Sequence, residues 1–203
     1  MKIISFTDEQ EWLDARKTKI TGSKLKDIVN LRGNVKKIGF YELIADRMSI
    51  QTDEDPMERG HRLEQEAIEK FEAETKKTVV TELVMWQRDD NESIAISPDG
   101  YIRNNGKITE AVEVKCVSSA RHLQAFLMPS QEVPKDYYFQ ALQYFIVNNE
   151  LEKLHFCFYD PRLIAKQFFF FTVDRDQEAV GKYLEYQRNT LETVNEIIQD
   201  LTF

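Results

Sequence analysis

The sequence has 203 residues, of which 42% are hydrophobic and 31% charged, and this length and composition are those of a globular protein with a sizeable core. With only seven glycines and five prolines, no segment is rich enough in breakers to be a linker, so we expect one domain over residues 1–203. The longest apolar run, 168–173, is far short of the roughly 20 residues that a membrane helix needs. No signal peptide is evident, and we expect a cytoplasmic protein without a membrane partner.

The net charge of −8 hides a local asymmetry. Residues 16–37 contain eight basic side chains and one acidic one, so the other 181 residues carry a charge of −15. A basic segment of this kind can contact phosphates, and acids gathered round a site can bind a metal cation, although solvated helix faces give the same pattern. The acidic total argues against non-specific DNA binding but does not exclude a nuclease that acts at DNA ends.

Four helices are predicted within the first 76 residues. A capping box at 7–10 precedes an amphipathic stretch in which Trp12 and Arg16 share a face. Asp55-Pro56 suits the N-cap and the first position of a longer helix. The predicted helices cover residues 8–17, 21–30, 40–47 and 55–76.

From residue 78 the sequence changes to period two and to β-branched residues, which is typical of strands. Asn104-Asn105-Gly106 predicts a hairpin turn between two of these strands. The predicted strands cover residues 78–86, 93–97, 100–103, 109–116, 153–159 and 166–173, and the later predicted helices cover 118–126, 136–148 and 175–201. This order predicts an α/β (α+β) fold with a mixed central β-sheet flanked by helices.

The pair Glu113 and Lys115 carries the strongest functional signal in the chain. Two residues apart on a strand, they share one face while Val112 and Val114 occupy the other, so one face is core and the other is polar. Asp99, in a Pro-Asp-Gly turn at the end of a neighbouring strand, could complete an oxygen-ligand site for Mg²⁺ beside the lysine. Taken alone, an acid and a lysine at this spacing more often lie on a solvated face of a sheet than form a catalytic pair.

Polar residues on two predicted helices accompany this pair. Glu64 lies at the edge of the apolar face of the fourth helix, from which it can project into a cleft. Gln140, Gln143 and Tyr144 lie on the second helix after the strands. Each of these residues is common, and their order along the chain is what supports a site for phosphodiester hydrolysis.

Seven short segments occur in the order and near the spacing of a known nuclease family. They are Trp12 with Arg16, Ile20-Thr21-Gly22-Ser23, Gly60 with Glu64, Ser97-Pro98-Asp99-Gly100, Glu113-Val114-Lys115-Cys116 with Arg121, Gln143-Tyr144, and Tyr159-Asp160-Pro161-Arg162. Through them the chain resembles the phage lambda exonuclease family of YqaJ-type viral recombinases. That family lies within the restriction-endonuclease-like superfamily, whose signature is PD-(D/E)xK, and the resemblance implies a restriction-endonuclease-like core.

The resemblance implies a role for each residue of the motif. Asp99, Glu113 and the backbone carbonyl of Val114 would bind Mg²⁺, for which Mn²⁺ could substitute. Glu64 would support the metal, directly or through water. Lys115 would position or activate the attacking hydroxide.

The resemblance also implies residues that contact DNA. Arg16 and Ser23 would receive the 5′-phosphate at a DNA end, and Arg121 would hold the backbone near the scissile group, because a guanidinium donates two hydrogen bonds to a phosphate. Gln143 would orient the site, with Gln140 or Tyr144 nearby. Met57 would lie where the family has an apolar side chain that helps to separate the two DNA strands. For Met57 and for Trp12 the alternative is packing in the protein core. The residues expected at the DNA are Trp12, Arg16, Ser23, Met57, Arg121, Gln140 and Tyr144.

The resemblance implies a Mg²⁺-dependent 5′–3′ exodeoxyribonuclease that resects one strand of linear duplex DNA, releases 5′-mononucleotides and leaves 3′ overhangs for recombination. It further implies a phage or prophage protein that forms a ring-shaped homotrimer and works with a single-strand annealing protein. Two alternatives stay open: a structure-specific or site-specific endonuclease of the same superfamily, and a non-catalytic DNA-end-binding module. Between Asp99 and Glu113 the only acid is Glu110, so a further carboxylate that would help to bind a second metal ion is not apparent. Whether the site uses one metal ion or two therefore stays open.

Overall fold

Helices flank two β-sheets in the computed structural model, which describes residues 36–48, 56–128 and 134–201. The described helices are α1 (Ile38–Met48), α2 (Pro56–Thr75), α3 (Ser119–Phe126), α4 (Tyr138–Val147) and α5 (Gln177–Leu201). The described strands are β1 (Trp86–Arg88), β2 (Asn91–Ile96), β3 (Gly100–Asn104), β4 (Lys107–Lys115), β5 (Lys153–Tyr159) and β6 (Phe168–Asp174). Among these helices, none combines the length and the apolar character that crossing a membrane requires.

The predicted α/β architecture is confirmed, and most predicted elements occur with ends shifted by a few residues. The strand predicted over 78–86 is wrong, because only Val80 pairs, in a single bridge with Tyr101, before β1 begins. Leu83 in this stretch is fully exposed, so its β-forming residues have no neighbouring strand on which to pack. The helices predicted over 8–17 and 21–30 lie outside the described residues.

The hairpin of β3 and β4 is set by its turn. The strands are antiparallel, with Gly100 opposite Val112, and the turn residues Asn105 and Gly106 have φ values of 52° and 82°. Two successive positive φ angles are those of a type I′ turn, which asparagine and glycine adopt at little cost. The predicted hairpin is therefore confirmed. In the four-stranded sheet the order is β3-β4-β5-β6, so β4 is an interior strand.

The described residues divide into two compact units. One unit contains α1, α3 and residues 158–169. Its core packs side chains of α1 against α3 and against the loop that follows β5, through Tyr41, Ala45, Ala120, Leu123 and Leu163. The single domain expected over residues 1–203 stays a prediction.

The other unit contains residues 64–115, 134–157 and 170–201. Its fully buried side chains include Phe71 of α2, Val112, Leu154 and Phe156 of the interior strands, and Tyr144 and Phe145 of α4. Strand β4 is buried from Glu110 to Val114. A charged group in that part of the strand must therefore find its partners within the protein.

Candidate active site

The register of the hairpin places Asp99 beside Glu113. Gly100 pairs with Val112, so one step further along the antiparallel ladder Asp99 faces Glu113. The Val114 N–H donates a hydrogen bond of 2.7 Å to Oδ2 of Asp99, which fixes this carboxylate at the end of β4. Two acids that are fourteen residues apart in sequence thus share one site.

The glycine after Asp99 lets the chain approach its neighbour closely. A Cβ atom at Gly100 would lie 2.5 Å from Cγ1 of Val79, closer than two carbon atoms can come. Val79 is buried and β-branched, so its side chain has little freedom to move away. The Pro-Asp-Gly turn therefore requires its glycine for packing against residue 79.

Glu113 is a buried carboxylate with three hydrogen-bond donors. Its side chain is 6% exposed, and Oε1 accepts hydrogen bonds of 2.6 Å from both Lys115 Nζ and Gln140 Nε2. The Tyr144 hydroxyl donates to Oε2. Burial of a carboxylate is tolerated only when it is paired and hydrogen-bonded, and these three donors meet that condition.

Gln140 joins the lysine and the acid through one amide. Its carbonyl oxygen accepts a hydrogen bond of 2.9 Å from Lys115 Nζ, while its nitrogen donates to Glu113. The lysine ammonium lies 4.9 Å from the ring centroid of Tyr137 and 6.0 Å from that of Phe156, which are cation–π distances. Lys115 is thus held from three sides, and its side chain is only 16% exposed.

Like charges crowd the site. Burial and the neighbouring charges of Glu113 and Glu64 raise the pKa of Asp99 well above its usual range. The Val114 N–H and the ammonium of Lys115 act in the opposite direction and do not offset them. Three carboxylates near one ammonium leave an excess of negative charge that a cation would neutralise.

Tyr144 is a neutral donor at the floor of the site. Its side chain is completely buried on α4. Burial raises the pKa of the Tyr144 phenol far above its usual value, and the charge of Glu113 and the hydrogen bond to it raise it further. The phenol therefore stays protonated and donates a hydrogen bond to Glu113.

The donor atoms of the site suit a divalent cation. Within the described part of the chain no three histidine, cysteine or acidic side chains group closely enough to hold a metal. Mg²⁺, however, commonly takes one or two carboxylates and completes its shell with water and other oxygens, so Asp99 and Glu113 fit this need. Three donors occupy Glu113, which leaves one of its roughly four lone-pair positions for a metal. The ligand roles of Glu64 and of the Val114 carbonyl stay predictions.

Gln143 does not contact the acids in this structure. Its Nε2 donates to the backbone oxygen of Ala95 in β2 at 3.2 Å, and its Oε1 accepts a hydrogen bond of 2.7 Å from Gln187 in α5. Gln140 instead occupies the central position that the resemblance implied for Gln143. The amide of Gln143 ties α4 to β2 and α5.

The residues predicted at the DNA are placed in different parts of the chain. Arg121 lies exposed on α3, in the other compact unit, where its Nη1 donates to Gln124 at 3.1 Å. Met57 lies in α2, but its side chain is outside the described residues, and so are Trp12, Arg16 and Ser23. Their roles at the DNA stay predictions.

Two aromatic residues beside Lys115, Tyr137 and Phe156, were missed from the sequence. Tyr137 could have been found, because positions 137, 140 and 144 are spaced to share one helix face. Phe156 gave no comparable signal, since it is one of several apolar residues in a buried strand.

Comparisons with known proteins agree with this architecture. A family model described as YqaJ-like viral recombinase domain matches residues 11–150. The structure of LHK-Exo, an alkaline exonuclease from Laribacter hongkongensis, is similar to this chain, with a TM-score of 0.55 and 23% sequence identity. The match covers 95% of this chain and 99% of LHK-Exo. The complex of LHK-Exo with dAMP gives the same values. A phage-related exonuclease from Haemophilus somnus 129PT has a TM-score of 0.52 and 14% identity, over 88% of this chain and 94% of that chain. No curated protein sequence gives a significant match.

Proposed function

The chain belongs to the YqaJ-like viral recombinase domain family, and from this membership we propose that it is a Mg²⁺-dependent 5′–3′ exodeoxyribonuclease acting on linear duplex DNA. The observation that carries the proposal is the arrangement of Asp99, Glu113 and Lys115 at one end of the β3–β4 hairpin. Two carboxylates with a lysine beside them are the groups that metal-assisted hydrolysis of a phosphodiester needs. A protein that only bound DNA would have no use for a buried carboxylate beside a second carboxylate that repels it.

The proposed chemistry assigns a task to each residue of the centre. Asp99 and Glu113 would hold Mg²⁺, which when bound supplies positive charge to the phosphate as negative charge builds up on it. Lys115 Nζ would donate a hydrogen bond to the attacking water and orient it for in-line attack. Gln140 and Tyr144 hold Lys115 and Glu113 in place through the hydrogen bonds described above. Mn²⁺ prefers similar oxygen ligands and is expected to substitute.

The direction and products of the reaction rest on the family likeness. LHK-Exo was crystallised with dAMP, a 5′-mononucleotide of the kind that such an enzyme would release. We therefore assign to this chain release of 5′-mononucleotides and formation of 3′ overhangs. Arg16 and Ser23 would bind the 5′-phosphate, and Arg121 the backbone near the scissile bond.

The assembly and partners are proposed on the same basis. A ring-shaped homotrimer round the DNA would keep the enzyme on its substrate between cleavage events. A single-strand annealing protein would take up the 3′ strand in the cytoplasm of a bacterial host, with both proteins encoded by a phage or prophage.

Digestion of linear duplex DNA in Mg²⁺ tests the proposal. Substrates with 5′-phosphate ends, 5′-hydroxyl ends and covalently closed circles are compared for the wild type and Lys115→Ala. Lys153→Ala is the matched control, because Lys153 is 44% exposed and pairs with Asp174 away from the acids. We expect digestion of phosphorylated linear DNA by the wild type and the control, with a loss of at least about 100-fold in Lys115→Ala.

Other results would favour the alternatives. Cleavage of closed circles would identify an endonuclease, since no end is present to be recognised. Absence of hydrolysis in both Mg²⁺ and Mn²⁺, together with binding to DNA ends, would identify a non-catalytic end-binding module.

A further inference from the structure

An aromatic pocket lies between α4 and α5 in the unit that carries the acids. The cavity has a volume of about 370 Å³, and its lining includes Phe139, Tyr183, Tyr186, Gln143 and Gln187. Phe139 is 63% exposed and Tyr186 is 68% exposed. Solvent-exposed aromatic rings that are grouped at one cavity commonly mark a binding site.

The rings form a wall with defined geometry. Phe139 and Tyr183 lie 5.4 Å apart between centroids, with their planes at 78°, and Tyr138 meets Phe139 edge-on at 5.3 Å. Lys182 Nζ lies 5.3 Å from the centroid of Tyr183. Exposed ring faces with a cation beside them are the features by which proteins stack nucleobases and attract the adjoining phosphates.

Two amides add polar groups to this wall. Gln187 Nε2 donates to Gln143 Oε1, and Gln143 Nε2 donates to the Ala95 carbonyl, so both side chains are fixed in orientation. Each amide nitrogen has two N–H groups, and each of these bonds uses one of them. The second N–H groups and the Gln187 oxygen can therefore meet the donors and acceptors on the edge of a base. An apolar face of a protein partner would not use them.

The pocket and the catalytic centre are both built on helix α4. Phe139 directly precedes Gln140, whose amide bonds both Glu113 and Lys115. Gln143, one turn further on, lines the pocket itself. A strand of DNA at the acids would thus have the aromatic wall within reach of its neighbouring nucleotides.

We propose that the aromatic pocket binds a nucleobase of single-stranded DNA, which stacks on one exposed ring, Phe139 or Tyr186, contacts the remaining rings of the pocket and forms hydrogen bonds with the two amides. This inference rests on the proposed function, because an exonuclease that digests one strand leaves the other unpaired beside its active site. The volume lies near the lower end of the range for pockets that hold small ligands, which suits one base rather than a protein helix.

Fluorescence anisotropy with a labelled oligo(dT) tests the proposal on the whole 203-residue chain. EDTA is present throughout, so that binding is measured without cleavage. Phe139→Ala and Tyr186→Ala should each raise the Kd at least about fivefold, the loss typical of one stacked base. Tyr186→Phe, which keeps the ring, should bind as the wild type does. Leu83→Ala is the control, because Leu83 is a more exposed apolar side chain that lies outside the pocket.

An oligonucleotide of the same length with abasic sites separates stacking from attraction to phosphates. It should bind more weakly than oligo(dT), and the alanine variants should not weaken its binding further. Equal affinity of the wild type for both oligonucleotides would overturn the proposal, as would unchanged oligo(dT) affinity in both alanine variants. If those variants keep their affinity but sediment as smaller species, the wall is an assembly surface between proteins.

This result and the result of the digestion assay are independent. Loss of oligo(dT) binding in the alanine variants supports the pocket whether or not hydrolysis is detected. Digestion of linear DNA by a protein whose pocket variants bind normally would overturn the pocket alone.

Discussion

A single hydroxyl group supports the buried acid at the centre of the site. Tyr144→Phe removes the donor to Glu113 Oε2 and leaves a carboxylate oxygen buried without that partner. We expect the free energy of unfolding to fall by about 1–3 kcal/mol, which urea denaturation would measure. Tyr138→Phe is the control, since Tyr138 is 45% exposed and should change stability by less than about 0.5 kcal/mol. Equal stability of the two variants would show that the hydrogen bond contributes little.

Two glycines in the same unit should respond to alanine in opposite ways. Gly100→Ala places a Cβ 2.5 Å from Val79 Cγ1 and should destabilise the protein by about 1–3 kcal/mol through overpacking. Gly181 lies in α5 with nothing within 4 Å of the added atom, so Gly181→Ala should stabilise by about 0.5–1 kcal/mol through helix propensity. Thermal or urea unfolding of both variants measures the difference. A neutral Gly100→Ala would mean that the β3 backbone moves freely, and Asp99 with it.

A buried network links three strands on the opposite face of β4 from Lys115. Glu110 accepts hydrogen bonds from Lys77 and from His155 Nε2, the latter at 2.6 Å, while His155 Nδ1 lies 2.9 Å from the Thr172 hydroxyl. Burial lowers the pKa of His155, and the nearby Lys77 and Lys153 act in the same direction, while Glu110 opposes them. Burial favours the protonated form of Glu110, but the bonds from Lys77 and His155 outweigh it and lower the pKa of that carboxyl.

This network predicts how stability depends on pH. Both folded-state pKa values lie below the ordinary values of 6.5 for His155 and 4.5 for Glu110, so the unfolded chain binds more protons as the solution becomes acidic. The stabilisation is therefore complete above about pH 7 and is lost as the pH falls through 6.5, first through the histidine and then through the acid. The difference in the free energy of unfolding between the wild type and His155→Gln, followed by urea denaturation from pH 7 to pH 4, measures the histidine part, because the raised pKa of Asp99 gives both proteins the same slope of opposite sign. His155→Gln should flatten the upper part of this profile, and a wild-type slope in that variant would contradict the assignment.

Helix α4 shows how far the sequence could predict the site. The hairpin follows from an Asn-Gly turn and a period-two pattern, and its register then places Asp99 beside Glu113. Which of the two glutamines meets the acid depends on the rotation of α4 about its axis. That rotation is set by tertiary packing of the buried residues on α4, which no local pattern encodes. The strand expected over 78–86 failed for the same kind of reason, because a strand needs a neighbour.

Because the site carries an excess of negative charge, a bound metal ion should raise the free energy of unfolding of the whole molecule. Asp99→Asn removes one half-buried charge among like charges, so in EDTA this variant should be more stable than the wild type. Mg²⁺ at about 100 times its Kd should stabilise the wild type by about 2.7 kcal/mol and raise its Tm, and this shift should vanish in Asp99→Asn.

Calorimetry with and without Mg²⁺ measures both effects. Asp174→Asn, at a carboxylate that is 76% exposed on β6, serves as the control and should keep the shift of the wild type. A full Mg²⁺ shift in Asp99→Asn would mean that the metal binds elsewhere on the protein.

The single amide of Gln140 limits how this site can evolve. It offers one acceptor to Lys115 and one donor to Glu113, and no other side chain of that length carries both. Glutamate would add a further negative charge, and lysine would place two ammonium groups together. Homologues that change position 140 should therefore also change position 113 or 115, so these three positions should vary together or not at all among active members of the family.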